Sequence, residues 1–101
     1  MTVYNITVKI NPAIEEEWIA WQKQVYIPAM MRTEQFSGYT FYRLLEQDEQ
    51  DGITYVFQYT LPGLQHYQQF TEKFARDLQQ MAWEKWGDQF VSFQTIMEAV
   101  Q

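Results

Sequence analysis

Few side chains here could do chemistry, and the most conspicuous is a phenol placed at an apparent helix break. Tyr26 falls in "QKQVYIPAMM", residues 22–31, two residues before Pro28. Its ring is either packing at the margin of a core with the hydroxyl in water, or the polar handle of a pocket between helix and sheet. As a general base it would be poor: with an ordinary pKa of about 10, only about one phenol in a thousand is ionised near neutral pH. A broken helix packs less closely on a sheet than a continuous one. A gap is therefore expected beneath Tyr26, walled by sheet aromatics such as Tyr55, Phe57 or Phe41. Gln58, with Thr54, Asn5 and Thr7, forms a polar strip on neighbouring strands, which is a solvated face, an interface or a ligand site. Tyr26, Tyr55 and Gln58 are the candidate ligand-binding residues.

The remaining polar groups point to no known chemistry. His66 is the only histidine. It projects well away from the apolar stripe of its helix, and no glutamate lies four residues on, where Phe70 stands, so no metal site is expected. The acidic run "EQDEQD", residues 46–51, lacks the spacing of a calcium loop and reads as a solvated hairpin tip. Trp83 lies off the apolar stripe and Trp86 is intermediate; each is either exposed at a helix end or part of an interface. There is no serine triad order, no glycine-rich phosphate loop and no dinucleotide fingerprint. No catalytic residue and no cofactor are expected.

The bulk composition narrows the partners. A net charge of −6 with seven scattered basic residues argues against nucleic acid and against an anionic membrane surface. The chain has no cysteine, which excludes disulfides and thiolate chemistry. Its first residues alternate without a signal-peptide pattern, and no apolar run approaches the ~20 residues of a membrane span. The expectation is a cytoplasmic protein, a single domain over residues 1–101.

These residues must be positioned by alternating elements. Residues 2–10 alternate, with Tyr4, Ile6, Val8 and Ile10 on one face, as a half-buried strand does. Asn11 is a good N-cap, Pro12 suits the first helical position, and Glu15, Glu16 and Glu17 complement the positive helix end. Ile14, Trp18, Trp21 and Val25 form a helical stripe that Pro28 should stop or kink near residues 26–27. A second strand is expected over residues 36–46, an Asp-Gly turn after it, and a third strand over residues 53–60 with Ile53, Tyr55, Phe57 and Tyr59 on one face. A long helix over about residues 63–86, with Leu64, Tyr67, Thr71, Phe74, Leu78 and Met81 as its stripe, ends at Gly87 before the fourth strand. The expected core is Ile6, Val8, Trp18, Trp21, Val25, Phe74 and Leu78.

The order βαββαβ predicts an α+β, ferredoxin-like domain: a four-stranded antiparallel sheet with two helices on one face. Nothing remains to cover the other face, yet the second strand is apolar on both sides, Tyr39, Phe41 and Leu45 against Tyr42 and Leu44. The expected partner is a second copy of the chain, closing a dimeric α/β barrel through the open faces.

The stretches "YNITVKINPAIEEEWIAWQKQVYIPAMM", "TYVFQY" and "WGDQFVSFQTIMEAV" resemble the DUF4286 family of bacterial proteins over nearly the whole chain. The resemblance implies the dimeric α/β-barrel superfamily, whose members include antibiotic-biosynthesis-type monooxygenases and haem-degrading proteins. It also implies a histidine where this chain has Tyr26, so no histidine-based role carries over. The reading for function is a homodimeric small-molecule-binding or interaction domain without catalysis. The alternative is a cofactor-independent, monooxygenase-like enzyme on a small aromatic substrate. A haem- or flavin-handling protein is disfavoured by the lack of a well-placed histidine.

Overall fold

The computed structural model describes residues 1–101. Four strands form one antiparallel sheet: β1 (Thr2–Ile10), β2 (Gly38–Arg43), β3 (Ile53–Leu61) and β4 (Phe90–Glu98), in the spatial order β2-β3-β1-β4. The two central strands pair Tyr4 with Tyr59, Ile6 with Phe57 and Val8 with Tyr55. Those side chains are buried under the helices, as their alternation predicts. This is the ferredoxin-like α+β arrangement expected from the element order. No helix is long and apolar enough to cross a membrane.

The first helical arm differs from expectation in an instructive way. Asn11 caps a short 3₁₀ turn, its side chain accepting from the Ala13 amide at 3.0 Å, and α1 (Glu15–Trp21) follows. The helix then does not stop at residues 26–27. It widens into a π turn over Gln22–Tyr26, where the Ile27 amide donates to the Gln22 carbonyl, and continues as α2 (Ile27–Met31). Pro28 has no amide to give the Gln24 carbonyl. The π turn absorbs this defect on the exposed side of the helix, where Lys23 and Gln24 stand in water. It also shifts the phase. Val25, expected in the core, is 40 % exposed, and Gln22, Ile27 and Met30 are buried in its stead.

The second arm is two helices, α3 (Leu64–Lys73) and α4 (Ala75–Trp86), bent at Phe74, whose backbone (φ −127°, ψ −31°) leaves the helical region. The bend is local, since the amides of Phe74 and Leu78 still bond four residues back. Phe70, Leu78 and Trp86 are its buried residues, whereas Leu64 and Thr71 of the expected stripe are exposed. Gly87 ends the arm with a positive φ of 56°, as expected. β2 is shorter than expected, and Leu44 and Leu45 lie exposed beyond it. Both arms lie on one face of the sheet. Trp18 packs on Tyr55 at 5.0 Å and Phe70 on Tyr4 at 5.5 Å.

Candidate functional site

A cavity of about 370 Å³ lies between the sheet and the two helical arms. Its sheet side is Tyr4, Ile6 and Val8 of β1, Phe57 and Tyr59 of β3, and Ser92 and Gln94 of β4. Gln22, Tyr26 and Met30 come from the first arm, and Leu78, Trp83 and Trp86 from the second. Both arms depart from regular α-helix near this space, one at the π turn and one at Phe74. Large rings then prop the arms apart: Trp21 meets Trp86 edge-on at 5.9 Å and stacks on Tyr26 at 5.0 Å. Trp83 is 57 % exposed and also lines the cavity, so it stands at the mouth. The volume falls in the range of small-molecule sites, about 300–1,000 Å³.

The lining contains no Asp, Glu, Lys, Arg or His. Its phenols are neutral. Burial pushes Tyr26 up to about 12, and it pushes Tyr59 and Tyr4 higher still, with the neighbouring phenols adding to the effect. The cavity therefore offers hydrogen bonds and aromatic faces, and nothing that is ionised near neutral pH. Three buried polar atoms on residues of this wall are themselves covered and have no hydrogen-bond partner in the protein: Gln22 Oε1, Tyr59 OH and Trp86 Nε1. All three side chains line the cavity, and they are 5 %, 1 % and 8 % exposed. No other buried side-chain polar atom in the chain is unpaired. Leaving such a group unmade inside a protein costs about 1–3 kcal/mol, so three around one space mark it as different from ordinary core.

The sequence-predicted residues do not come together. Tyr26 lines the cavity, as does Phe57. Tyr55 does not: its hydroxyl donates to Glu15 Oε2 at 2.6 Å, and Arg43 Nε lies 3.5 Å from the same carboxylate. Burial, and then the bond to Glu15, push that phenol up to about 12. Phe41 stacks on Phe57 at 4.3 Å without lining the space. Gln58 is on the opposite face of the sheet, where its side-chain amide donates to Asn5 Oδ1 at 3.3 Å. Strand alternation accounts for this: residues 55, 57 and 59 point to the helices, and residue 58 points to the open face, where the expected polar strip lies. His66 Nδ1 lies 3.2 Å from Gln35 Oε1, and no group of three or more acidic, His or Cys side chains is placed to hold a metal ion.

Gln22 and Tyr59 were not singled out by sequence, and Trp86, expected at an exposed helix end or an interface, is instead buried in the core. Gln22 carried a signal: a polar residue four positions after Trp18, on the face that also carries Trp21. Tyr59 carried a weaker one, as a phenol on the fully buried face of a central strand.

Solved structures share this fold at low identity. HapK from Hahella chejuensis superposes with a TM-score of 0.73 at 11 % identity, over 99 % of this chain and 93 % of that one. SnoaB, a cofactor-independent oxygenase from Streptomyces nogalater, gives 0.67 at 13 % identity over 99 % and 94 %. A dimeric ferredoxin-like protein from an uncultured marine organism gives 0.61 at 11 % identity over 99 % and 95 %. No curated protein matches by sequence. The family described as a domain of unknown function, DUF4286, matches residues 1–100.

Proposed function

Because this chain belongs to the DUF4286 family, whose description assigns no activity, we propose a function from the site itself: a cytoplasmic, homodimeric protein that binds an uncharged small molecule between helices and sheet. The observation that carries this reading is a cavity wall rich in aromatic rings and without a charged side chain, three of whose residues hold a buried polar atom with no partner. A charged ligand would be stripped of water there with no counter-charge, at a cost of several kcal/mol. A neutral ring compound would lose little and gain contact with Trp, Tyr and Phe faces. Tyr26 is part of this site; Tyr55 and Gln58, which lie outside the cavity, are not.

The test compares naphthol with naphthoate, two probes of one ring system differing in charge. Tryptophan fluorescence and calorimetry should show naphthol binding at least about tenfold tighter. Equal affinity for the two, or no binding of naphthol at millimolar concentration, would overturn the reading.

A cofactor-independent, monooxygenase-like enzyme is the second reading. Its support is the fold likeness to SnoaB together with a cavity able to hold a small aromatic substrate. Oxygen uptake with dihydroxynaphthalene above the protein-free rate would favour it, and an unchanged rate would reject it.

The homodimer is supported by apolar side chains on the uncovered sheet face and by dimeric ferredoxin-like neighbours.

A further inference from the structure

The three unpaired groups differ in what they ask of a ligand. Trp86 Nε1 is only a donor, so its partner must be an acceptor such as a carbonyl or ether oxygen. Tyr59 OH both donates and accepts. Gln22 offers Oε1, an acceptor, and the side chain meets a hydroxyl equally well with its amide in either orientation, because a hydroxyl also does both. The groups come from three elements: the π turn, β3 and α4. Each atom is covered in this structure, so a ligand reaches it as its side chain turns toward the space, and a molecule held by all three is gripped from the first arm, the sheet and the second arm.

The position of Gln22 is not incidental. It is the first residue of the π turn, and its backbone carbonyl takes the Ile27 amide. Its side chain sits on the buried side of the arm, behind Trp18, where an apolar residue would be expected. A buried amide without a protein partner lowers stability, and Met or Leu in its place would not. That arrangement is understandable if the amide serves a ligand.

We propose that Gln22 is the specificity-determining residue of the cavity and that the ligand is an uncharged ring compound bearing a hydroxyl, read by Gln22 and Tyr59, and a second oxygen acceptor, read by Trp86. This rests on the cavity being a ligand site, and it adds which oxygen groups the ligand must carry. A site built to bond a hydroxyl discriminates strongly against the same molecule without it, because its own buried groups are then left unpaired.

The experiment uses naphthalene, methoxynaphthalene and naphthol as probes on the wild-type protein and on Gln22→Met and Trp86→Phe. These probes differ in order by an acceptor and then a donor on a constant ring. For the wild type, naphthol should bind about tenfold tighter than methoxynaphthalene, and methoxynaphthalene a few-fold tighter than naphthalene. Gln22→Met should reduce the naphthol-to-methoxynaphthalene ratio to about one or two while naphthalene binds as before. Trp86→Phe should remove the preference for methoxynaphthalene over naphthalene and keep the hydroxyl preference. If the wild type binds all three alike, the inference falls and the cavity reading stands. An unchanged ratio in Gln22→Met also sinks it. If no uncharged probe binds, or naphthoate binds as well as naphthol, the cavity reading itself is lost and the inference with it. The wild-type ratios decide the matter even if Trp86→Phe does not fold.

Discussion

Buried phenols dominate this molecule at the scale of single residues. Tyr4, Tyr26, Tyr55 and Tyr59 all have raised pKa values, and burial is the first cause in each case. The sign of the linkage follows. In the unfolded chain a phenol ionises near pH 10. In the folded protein Tyr26 and Tyr55 hold their protons up to about 12. Between those values the unfolded state binds fewer protons, so stability falls as pH rises. The stabilising contribution is full below about pH 10 and is lost as pH climbs through the folded values. Urea midpoints should therefore be level up to about pH 9 and drop steeply by about pH 11, with the tyrosinate absorbance of these four residues appearing together with unfolding. A tyrosinate titration centred near pH 10 that accounts for all seven tyrosines in a protein still folded would contradict the burial of these hydroxyls. Tyr55 shows why residue type alone misleads about function. Its aromatic neighbours match those of a pocket residue, but Glu15, forty positions away in sequence, captures its hydroxyl.

At the scale of elements, the π turn decides which residues the first arm buries. Trp18, Gln22, Ile27 and Met30 are spaced by four, five and three. At about 100° per residue, a regular α-helix would put Ile27 half a turn from Trp18 and Val25 almost above it. The observed burial is the reverse, because the π turn holds one residue more than an α turn. Deleting Val25 should then be tolerated once Pro28, whose missing amide the wider turn accommodates, is replaced by Ala. The spacing becomes four, four and three, a single α register, and both flanking segments keep their buried faces. We expect a stability change below about 1 kcal/mol in urea denaturation, against the loss of folding that a deletion rotating Ile27 and Met30 out of the core would bring. Failure to fold would show that the turn is more than a surplus residue. This is also where the sequence was least legible. The alternation of β1 and β3, the Asn11 cap and the Gly87 stop depend on neighbours in the chain, and each was readable. The π turn depends on the sheet beneath it: Pro28 announces a defect, but widening rather than stopping is selected by the burial of Ile27 and Met30. The same holds for the phase of α3, where Phe70 rather than Thr71 meets Tyr4 and Phe36. The candidate site was legible only in part for the same reason. Tyr26 drew attention by its place at the proline, whereas Trp86 acquires its role from packing against Trp21 on the other arm.

For the molecule as a whole, the uncovered face of the sheet is the remaining question. Phe93 pairs with Thr7, Val91 with Lys9 and Met97 with Val3 on β4, and Tyr42 pairs with Val56 on β2, all pointing away from the helices. Phe93 is 66 % exposed and Tyr42 52 %. Between them run Asn5, Thr7 and Gln58, with Gln58 already bonded to Asn5. A face with apolar flanks and a paired polar centre suits burial against a surface that brings its own hydrogen-bonding groups, as a second copy does about a two-fold axis. Two such faces pack at about 10 Å and leave no further surface for growth. Light scattering at micromolar concentration should give about twice the 12.2 kDa chain mass. Phe93→Asp places a carboxylate on each copy in the desolvated interface, between chains that each already carry a net charge of −6. It should shift the mass to that of one chain while leaving the helix-side core, and hence the secondary structure seen by circular dichroism, unchanged. The cavity lies on the other side of the sheet, so naphthol binding should survive in this monomer. A wild-type monomer would remove the second copy as the explanation for the apolar face, and a dimer indifferent to Phe93→Asp would place the interface elsewhere.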